Sequence, residues 1–423
     1  MNHFQYLNGI LHAENVPIPQ IAQAVGTPFY CYSTATIERH YKVFANAFSD
    51  IDALICYAMK ANSNQAVLQT LAKLGSGADV VSAGELQRAI AAGIPAKKIV
   101  FSGVGKKDYE LDLALELGIL CFNIESIPEL HALAARATAL NKTAHVSFRI
   151  NPDVDAKTHA KISTGKKDDK FGIPWNQAEE IYALAATLNN IKVVGIDMHI
   201  GSQIVDLQPF DDAFSRLKGL VERLRAAGHN IEHVDVGGGL GIPYRAEGNN
   251  EPPPSPEEYA AVVTKHVKGL NTQVAFEPGR LLMGNAGILV GEIIFTKETD
   301  SKTFFIGDAA MNDLIRPTLY DAWHDIRPVQ EPKDKSDYTI GDLVGPVCET
   351  GDYMAKDRNL PTMKRGDLFA VGSAGAYGAV QAGTYNTRPL IPEVLVNGDQ
   401  FHVIRKRMEV EELIALDSIP DWI

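Results

Sequence analysis

Cysteine is scarce. Cys31, Cys56, Cys121 and Cys348 are the whole supply, and no two form a Cys-x-x-Cys pair. A zinc ribbon or dithiol redox motif is therefore not indicated, and so few unpatterned thiols suit a reducing compartment. No stretch approaches the ~20 apolar residues of a membrane helix. Positive charge is not in excess either: 40 Lys and Arg stand against 52 Asp and Glu, a net charge of −12. That balance argues against a nucleic-acid partner but leaves a small charged substrate open. Met1–Pro19 has neither a basic start nor a long apolar run. No secretory signal is expected, and the expected location is cytoplasmic.

What is present is alternation. The 423 residues exceed what one core usually serves, so two domains are expected. Eight short apolar runs read as strands: 53–58, 78–82, 99–102, 119–124, 144–150, 193–199, 233–236 and 273–276. Helical spacing follows the first seven, as at 65–74, 84–92, 126–140 and 177–188. Eight such units predict a (β/α)8 TIM-like barrel. The rival, an open doubly wound sheet, carries a G-x-G-x-x-G turn after its first strand. Here that strand runs into Tyr57-Ala58-Met59-Lys60-Ala61-Asn62, without glycine. Beyond residue 281 helical spacing fades and strands are expected at 288–297, 303–306, 368–372 and 393–405. Asn397-Gly398 and Asn8-Gly9 are hairpin signals. The predicted organisation is an N-terminal segment, 1–27, joining a C-terminal β-sandwich or barrel domain, 281–423. The barrel would span 28–280. Stretches 247–257 and 328–337 read as surface loops, and 153–172 as a candidate lid.

A barrel enzyme carries its chemistry at the C-terminal ends of its strands. Lys60, Asp79, Arg149, His199, Gly237-Gly238-Gly239 and Glu277-Pro278-Gly279-Arg280 all fall there. A glycine triplet alone is usually a tight turn. After the seventh strand, with Gly279 after the eighth, it points to a phosphate held by backbone N–H groups. A lone lysine is usually a solvated charge. At a barrel mouth facing a phosphate site, Lys60 could instead form a Schiff base. Glu277 could hydrogen-bond a pyridine nitrogen and keep it protonated, or serve as a structural partner of Arg280. His199 could stack on a flat ring, or be a hydrogen-bonded histidine at the core edge.

With His199-Ile200-Gly201-Ser202-Gln203 added, these segments resemble the fold type III pyridoxal-phosphate decarboxylases along essentially the whole chain. Arg316-Pro317-Thr318-Leu319-Tyr320, Gly345–Asp352 and Gly375-Ala376-Tyr377-Gly378 resemble the branch that converts meso-diaminopimelate to lysine. Thr350 stands where that family often has serine. The resemblance implies pyridoxal 5'-phosphate on Lys60, His199 on the ring and Glu277 at its nitrogen. It implies Ser202, Gly238, Gly239, Gly279 and Tyr377 at the phosphate, with Asp79 and Arg149 near Lys60 and the ring hydroxyl. Arg280, Arg316, Tyr320, Glu349 and Tyr377 would hold substrate. Cys348 would come from the partner subunit of a homodimer with shared sites.

The residues themselves favour a substrate with a distal carboxylate, for Arg280 and Arg316, and a distal ammonium, for Glu349. Lys60 and Cys348 both remain candidates to reprotonate the substrate carbon. Rival readings are a sister decarboxylase for carboxynorspermidine, ornithine, arginine or a D-amino acid, an amino-acid racemase, and a non-catalytic cofactor-binding protein.

Overall fold

The computed structural model describes residues 2–423 except 157, 158, 163, 166–168, 246–251, 335 and 336. The expected lid at 153–172 and the expected loops at 247–257 and 328–337 each fall partly outside the described residues. No described helix is long and apolar enough to cross a membrane.

The chain forms two units. One comprises Arg39–Ile242 and Asn250–Leu281. Its eight parallel strands are β1 Ala53–Ala58, β2 Gly77–Val80, β3 Ile99–Phe101, β4 Cys121–Ile124, β5 Ala144–Asn151, β6 Ile191–Asp197, β7 His233–Asp235 and β8 Gln273–Phe276. Each pairs with the next. β4 pairs with β5 and β8 pairs with β1, where Val274 faces Ala53, so the barrel is closed. These strands read as continuous apolar runs because both faces are covered.

Several of the intervening helices begin with side-chain caps close behind the strands. Asn64 accepts from Ala66 N, Ser82 from Glu85 N and Ser126 from Glu129 N. Aromatic rings fill the layer behind β8: Phe48 lies 4.1 Å from Phe276 and Tyr259 4.9 Å from Phe210, centroid to centroid. Such packing fixes where the strand ends, and hence the functional side chains, must sit.

The other unit comprises Met1–Glu38, Pro243–Asn249 and Leu282–Ile423. Gly287–Glu298 is its central strand, antiparallel to Phe29–Ser33, Thr303–Gly307 and Leu368–Val371. Phe29–Ser33 also runs parallel to Glu393–Asn397, which forms a hairpin with Gln400–Arg405 around Gly398-Asp399. At the N-terminus, Phe4–Leu7 and Ile10–Ala13 form a hairpin whose Asn8 and Gly9 both have positive φ. The N-terminal contribution to this unit therefore extends through Phe29–Ser33 rather than ending at residue 27. The reason is pairing: this apolar strand completes the C-terminal sheet.

Glu14 fastens the first segment of this unit to its last. Its Oε1 accepts from Ser33 Oγ at 2.7 Å and Ala35 N at 2.9 Å, and its Oε2 from Gly398 N at 2.6 Å. Tyr338–Val344 and Tyr353–Pro361 form a further antiparallel pair that the sequence pattern did not indicate. Pro328 closes the short strand Ile326–Pro328, and Gln330 bridges to Ile10, so the stretch from 328 begins in the sheet.

Candidate active site

The sequence candidates fall into two groups, one in each unit. In the barrel, Lys60 lies in a tight turn, Met59–Ala61, directly after β1. Its Nζ donates to Asp79 Oδ2 at 2.9 Å, with the Asp79 side chain fully buried in the neighbouring β2. The register that sets Ala58 against Asp79 makes this pair.

Arg149, near the end of β5, is 7% exposed and donates to Glu125 Oε1 at 3.3 Å. Its guanidinium lies 4.8 Å over the Phe171 ring. Burial opposes the Arg149 charge, but Glu125, Asp197, Glu277 and Asp79 outweigh it and raise its proton affinity. Glu125 in turn accepts from Gly103 N at 2.9 Å and Gly172 N at 3.0 Å, binding three barrel loops to one carboxylate.

His199 follows β6. Its Nδ1 accepts from Gly238 N at 3.1 Å, which places the ring proton on Nε2. Burial, Arg149 and Lys60 hold its pKa well below the usual histidine range, so the ring is neutral. It offers a flat uncharged face.

The glycines are demanded by geometry. A Cβ at Gly239, where φ is +104°, would lie 2.4 Å from Gly201 O, and one at Gly238 would lie 2.2 Å from Glu277 O. At Gly279 a Cβ would meet Ala61 Cβ at 3.0 Å. Backbone approaches backbone here as in a cradle for an anion. Arg280 is buried, and its Nε and Nη2 donate to Ser202 Oγ at 3.3 and 3.0 Å.

Glu277, directly after β8, is 6% exposed and accepts from Ser102 Oγ at 3.3 Å and Asn123 Nδ2 at 3.5 Å. Burial, followed by Asp235, Asp79 and Asp197, raises its pKa well above the usual carboxylate range. A carboxyl in this setting holds a proton and can present it to a basic nitrogen.

Ser102, Asn123, Glu125, Asp197 and Asp235 escaped the sequence reading. The signal for the two aspartates was available, since Asp197 and Asp235 are the last residues of β6 and β7. Read alone, each is one carboxylate in an apolar run.

The second group lies in the other unit. Arg316 begins a short helix, Arg316–Tyr320, and is 6% exposed, so it is not a surface ion-pair residue. Its Nη1 donates to His324 Nε2 at 2.8 Å, and His324 Nδ1 lies 2.8 Å from Gly372 O. The Arg316 guanidinium stands 4.8 Å from the Tyr244 ring. Tyr320 OH accepts from Gln381 Nε2 at 3.5 Å.

Cys348 and Glu349 are exposed on the loop between Tyr338–Val344 and Tyr353–Pro361. Cys348 N donates to Asn386 Oδ1 at 2.8 Å. The loop is braced from inside by Asp352, which accepts from Met311 N and Val347 N, both at 2.7 Å. Tyr377 is partly buried, with φ of +56°.

The donor set of the barrel suits pyridoxal 5'-phosphate: an amine at a strand end, a neutral flat imidazole, a protonated buried carboxyl and a cradle that admits no Cβ. The pyridoxal-binding domain of the pyridoxal-dependent decarboxylases matches residues 34–284. The chain is 52% identical over 421 residues to the diaminopimelate decarboxylase of Vibrio cholerae, covering 99% of both chains. It is 50% identical over 419 residues to that of Pseudomonas aeruginosa, again with 99% of both covered. Among solved structures, diaminopimelate decarboxylase from M. jannaschii in complex with L-lysine superposes with a TM-score of 0.93 at 36% identity, covering 99% of each chain. The Helicobacter pylori enzyme with L-lysine gives 0.89 at 41% identity, covering 94% of this chain and 98% of that one.

Proposed function

The chain belongs to the diaminopimelate decarboxylases, a branch of the pyridoxal-dependent decarboxylases, and from that premise we propose how its own residues carry the reaction. The reaction is loss of one carboxylate from meso-2,6-diaminopimelate, leaving L-lysine and CO2. The observation that carries this reading is the Lys60–Asp79 pair on the same barrel rim as neutral His199 and protonated Glu277. When bound, pyridoxal 5'-phosphate draws off the electron pair that departing CO2 leaves on the substrate carbon.

Lys60 Nζ is the attachment amine, and Asp79 orients it. His199 presents its uncharged face to the ring. Glu277 holds a proton toward the ring nitrogen. Arg149, steadied by Glu125, would hold the ring hydroxyl. Gly238, Gly239, Gly279 and Tyr377, with the Ser202 hydroxyl oriented by Arg280, bind the phosphate. Arg280, Arg316, Tyr320 and Tyr377 take the distal carboxylate end, and Glu349 the distal ammonium. Two arginines and one carboxylate favour this substrate over a simple diamine precursor.

Cys348 and Glu349 are exposed on a braced loop, which suits a loop that completes the site of a second copy in a homodimer. Cys348 Sγ and Lys60 Nζ are then the two candidates for proton donor to the substrate carbon.

The test is to record the visible spectrum of the purified protein, add meso-diaminopimelate, and assay lysine and CO2. Lys60→Ala abolishes turnover while cofactor still binds without a covalent link. Undiminished turnover by that variant, or a cofactor band with lysine absent from the products, refutes the reading. A panel of carboxynorspermidine, ornithine, arginine and D-amino acids separates the sister activities, and absence of CO2 release would mark a racemase.

A further inference from the structure

Two buried aspartates have no part in the scheme above. Asp197 and Asp235 face each other in the register of β6 and β7. One oxygen from each, together with one from Glu277, lies within 4.8 Å of the others. The three residues are 1%, 0% and 6% exposed. Asp235 Oδ1 accepts from Gly237 N at 2.9 Å. Asp235 Oδ2 and Asp197 Oδ1 are buried with no hydrogen-bond partner among the described residues. A buried carboxylate oxygen without a donor is costly unless a proton lies between it and a neighbour.

The surrounding charges sharpen the point. Asp79 on β2, Glu125 after β4, Arg149 on β5 and Lys60 after β1 are the charged groups that face the three. Cys56, Cys121, Tyr182 and Tyr259 are further titratable groups that feel the three carboxyls. Five carboxylates thus meet two cations, Arg149 buried and Lys60 partly exposed. Like charges this close cannot all ionise.

We propose that Asp197 and Asp235 are positioning residues that share one proton between them and, through the negative charge the pair retains, hold a second proton on Glu277, the one its carboxyl presents to the cofactor's ring nitrogen. The proposal rests on the role given above to Glu277 and extends it. When the nitrogen takes the proton, the Glu277 O–H bond breaks and an N–H bond forms, leaving Glu277 a carboxylate. The proton shared by Asp197 and Asp235 then keeps the three from carrying full negative charge. Burial, and then their neighbours, raise both aspartates, Asp235 to about 7 and Asp197 well above the usual range.

The decisive experiment titrates the visible band of the holoenzyme with pH in the parent and in Asp235→Asn and Asp197→Asn. Infrared difference spectra in H2O and D2O accompany it. Each substitution keeps the side-chain shape but removes a negative neighbour, so the alkaline midpoint falls by about one unit, a tenfold loss in proton affinity. Asp235→Glu restores part of the shift, which a merely structural role would not do. In the parent, infrared shows a protonated carboxyl at neutral pH, weakened in each variant.

Unmoved midpoints in both variants with cofactor still bound overturn the proposal. Should the variants fail to fold, the parent's infrared decides alone, and absence of a protonated carboxyl overturns it. A band that shifts on adding Mg2+, Ca2+ or Mn2+, or a chelator, would identify a cation in place of the proton and also overturn it. A parent without any visible band refutes the cofactor assignment itself, while its infrared still reports on the shared proton.

Discussion

Replacing Asp352 with alanine should loosen the loop that carries Cys348 and Glu349 without touching the cofactor. The Asp352 carboxylate is 4% exposed and holds the N–H groups of Met311 and Val347, both also buried, at 2.7 Å. Hydrogen bonds to a charged acceptor contribute roughly 1.5–3 kcal/mol each, and a buried donor left without a partner costs on the order of 1–3 kcal/mol. Loss of both bonds therefore weakens the native loop by about 3–5 kcal/mol. Asp352→Asn keeps one acceptor but turns an amide NH2 toward the second donor, and should fall between. If the loop completes the substrate site, a penalty of about 3 kcal/mol reduces kcat/KM by roughly a hundredfold. The cofactor band, set by barrel residues, should be unchanged. The assay pairs steady-state kinetics on meso-diaminopimelate with limited proteolysis of the loop and the visible spectrum. An Asp352→Ala protein with parental KM and parental protease resistance would refute the bracing argument. Loss of the cofactor band would refute the separation of the two roles.

Glu349→Gln should raise KM for meso-diaminopimelate about tenfold to a hundredfold, the size of one charged hydrogen bond, while cofactor affinity stays level. Gly239→Ala places a Cβ 2.4 Å from Gly201 O at a φ of +104°. Strain of about 1–3 kcal/mol should weaken cofactor retention roughly tenfold to a hundredfold by equilibrium dialysis. Gly269→Ala, at φ of +91° with no atom within 4 Å of the new Cβ, is its control and should leave retention unchanged. His233 is 4% exposed, and burial lowers its pKa from 6.5 to about 4. Its folded pKa lies below the unfolded one, so the unfolded chain binds more protons between those values. Stability should therefore fall as pH drops from about 6.5 toward 4, by up to ~3 kcal/mol. Urea midpoints for the parent and His233→Gln across that window check this; equal slopes would refute it.

The barrel was legible because parallel strands buried on both faces leave unbroken apolar runs bounded by helical spacing. Ala53–Ala58 and Gln273–Phe276 have the ends that their runs predict. The rim residues followed from the strand-end rule, and the glycine cradle from the triplet's position. Phe29–Ser33 misled because an apolar strand carries no mark of the sheet it joins; its partners lie more than 250 residues away, at Gly287–Val290. Tyr338–Val344 and Tyr353–Pro361 were hidden by polar residues, Lys356-Asp357-Arg358 among them, which break the alternation of a half-buried strand. Asp197 and Asp235 become meaningful only when barrel closure brings them within reach of Glu277.

The strand Phe29–Ser33 also has a consequence for how the chain leaves the ribosome. It emerges early, yet its neighbours in the sheet are Gly287–Glu298 and Glu393–Asn397, the latter almost the last structure to be made. At roughly 5–20 residues per second, an apolar Phe-Tyr-Cys-Tyr segment waits about 20–70 s for its second neighbour. The barrel, drawn almost wholly from the intervening chain, can close in that interval. A nascent protein would then carry a finished barrel and an unpaired strand edge. That edge is where a holdase would bind during translation, and where pausing near the C-terminus would seed aggregation.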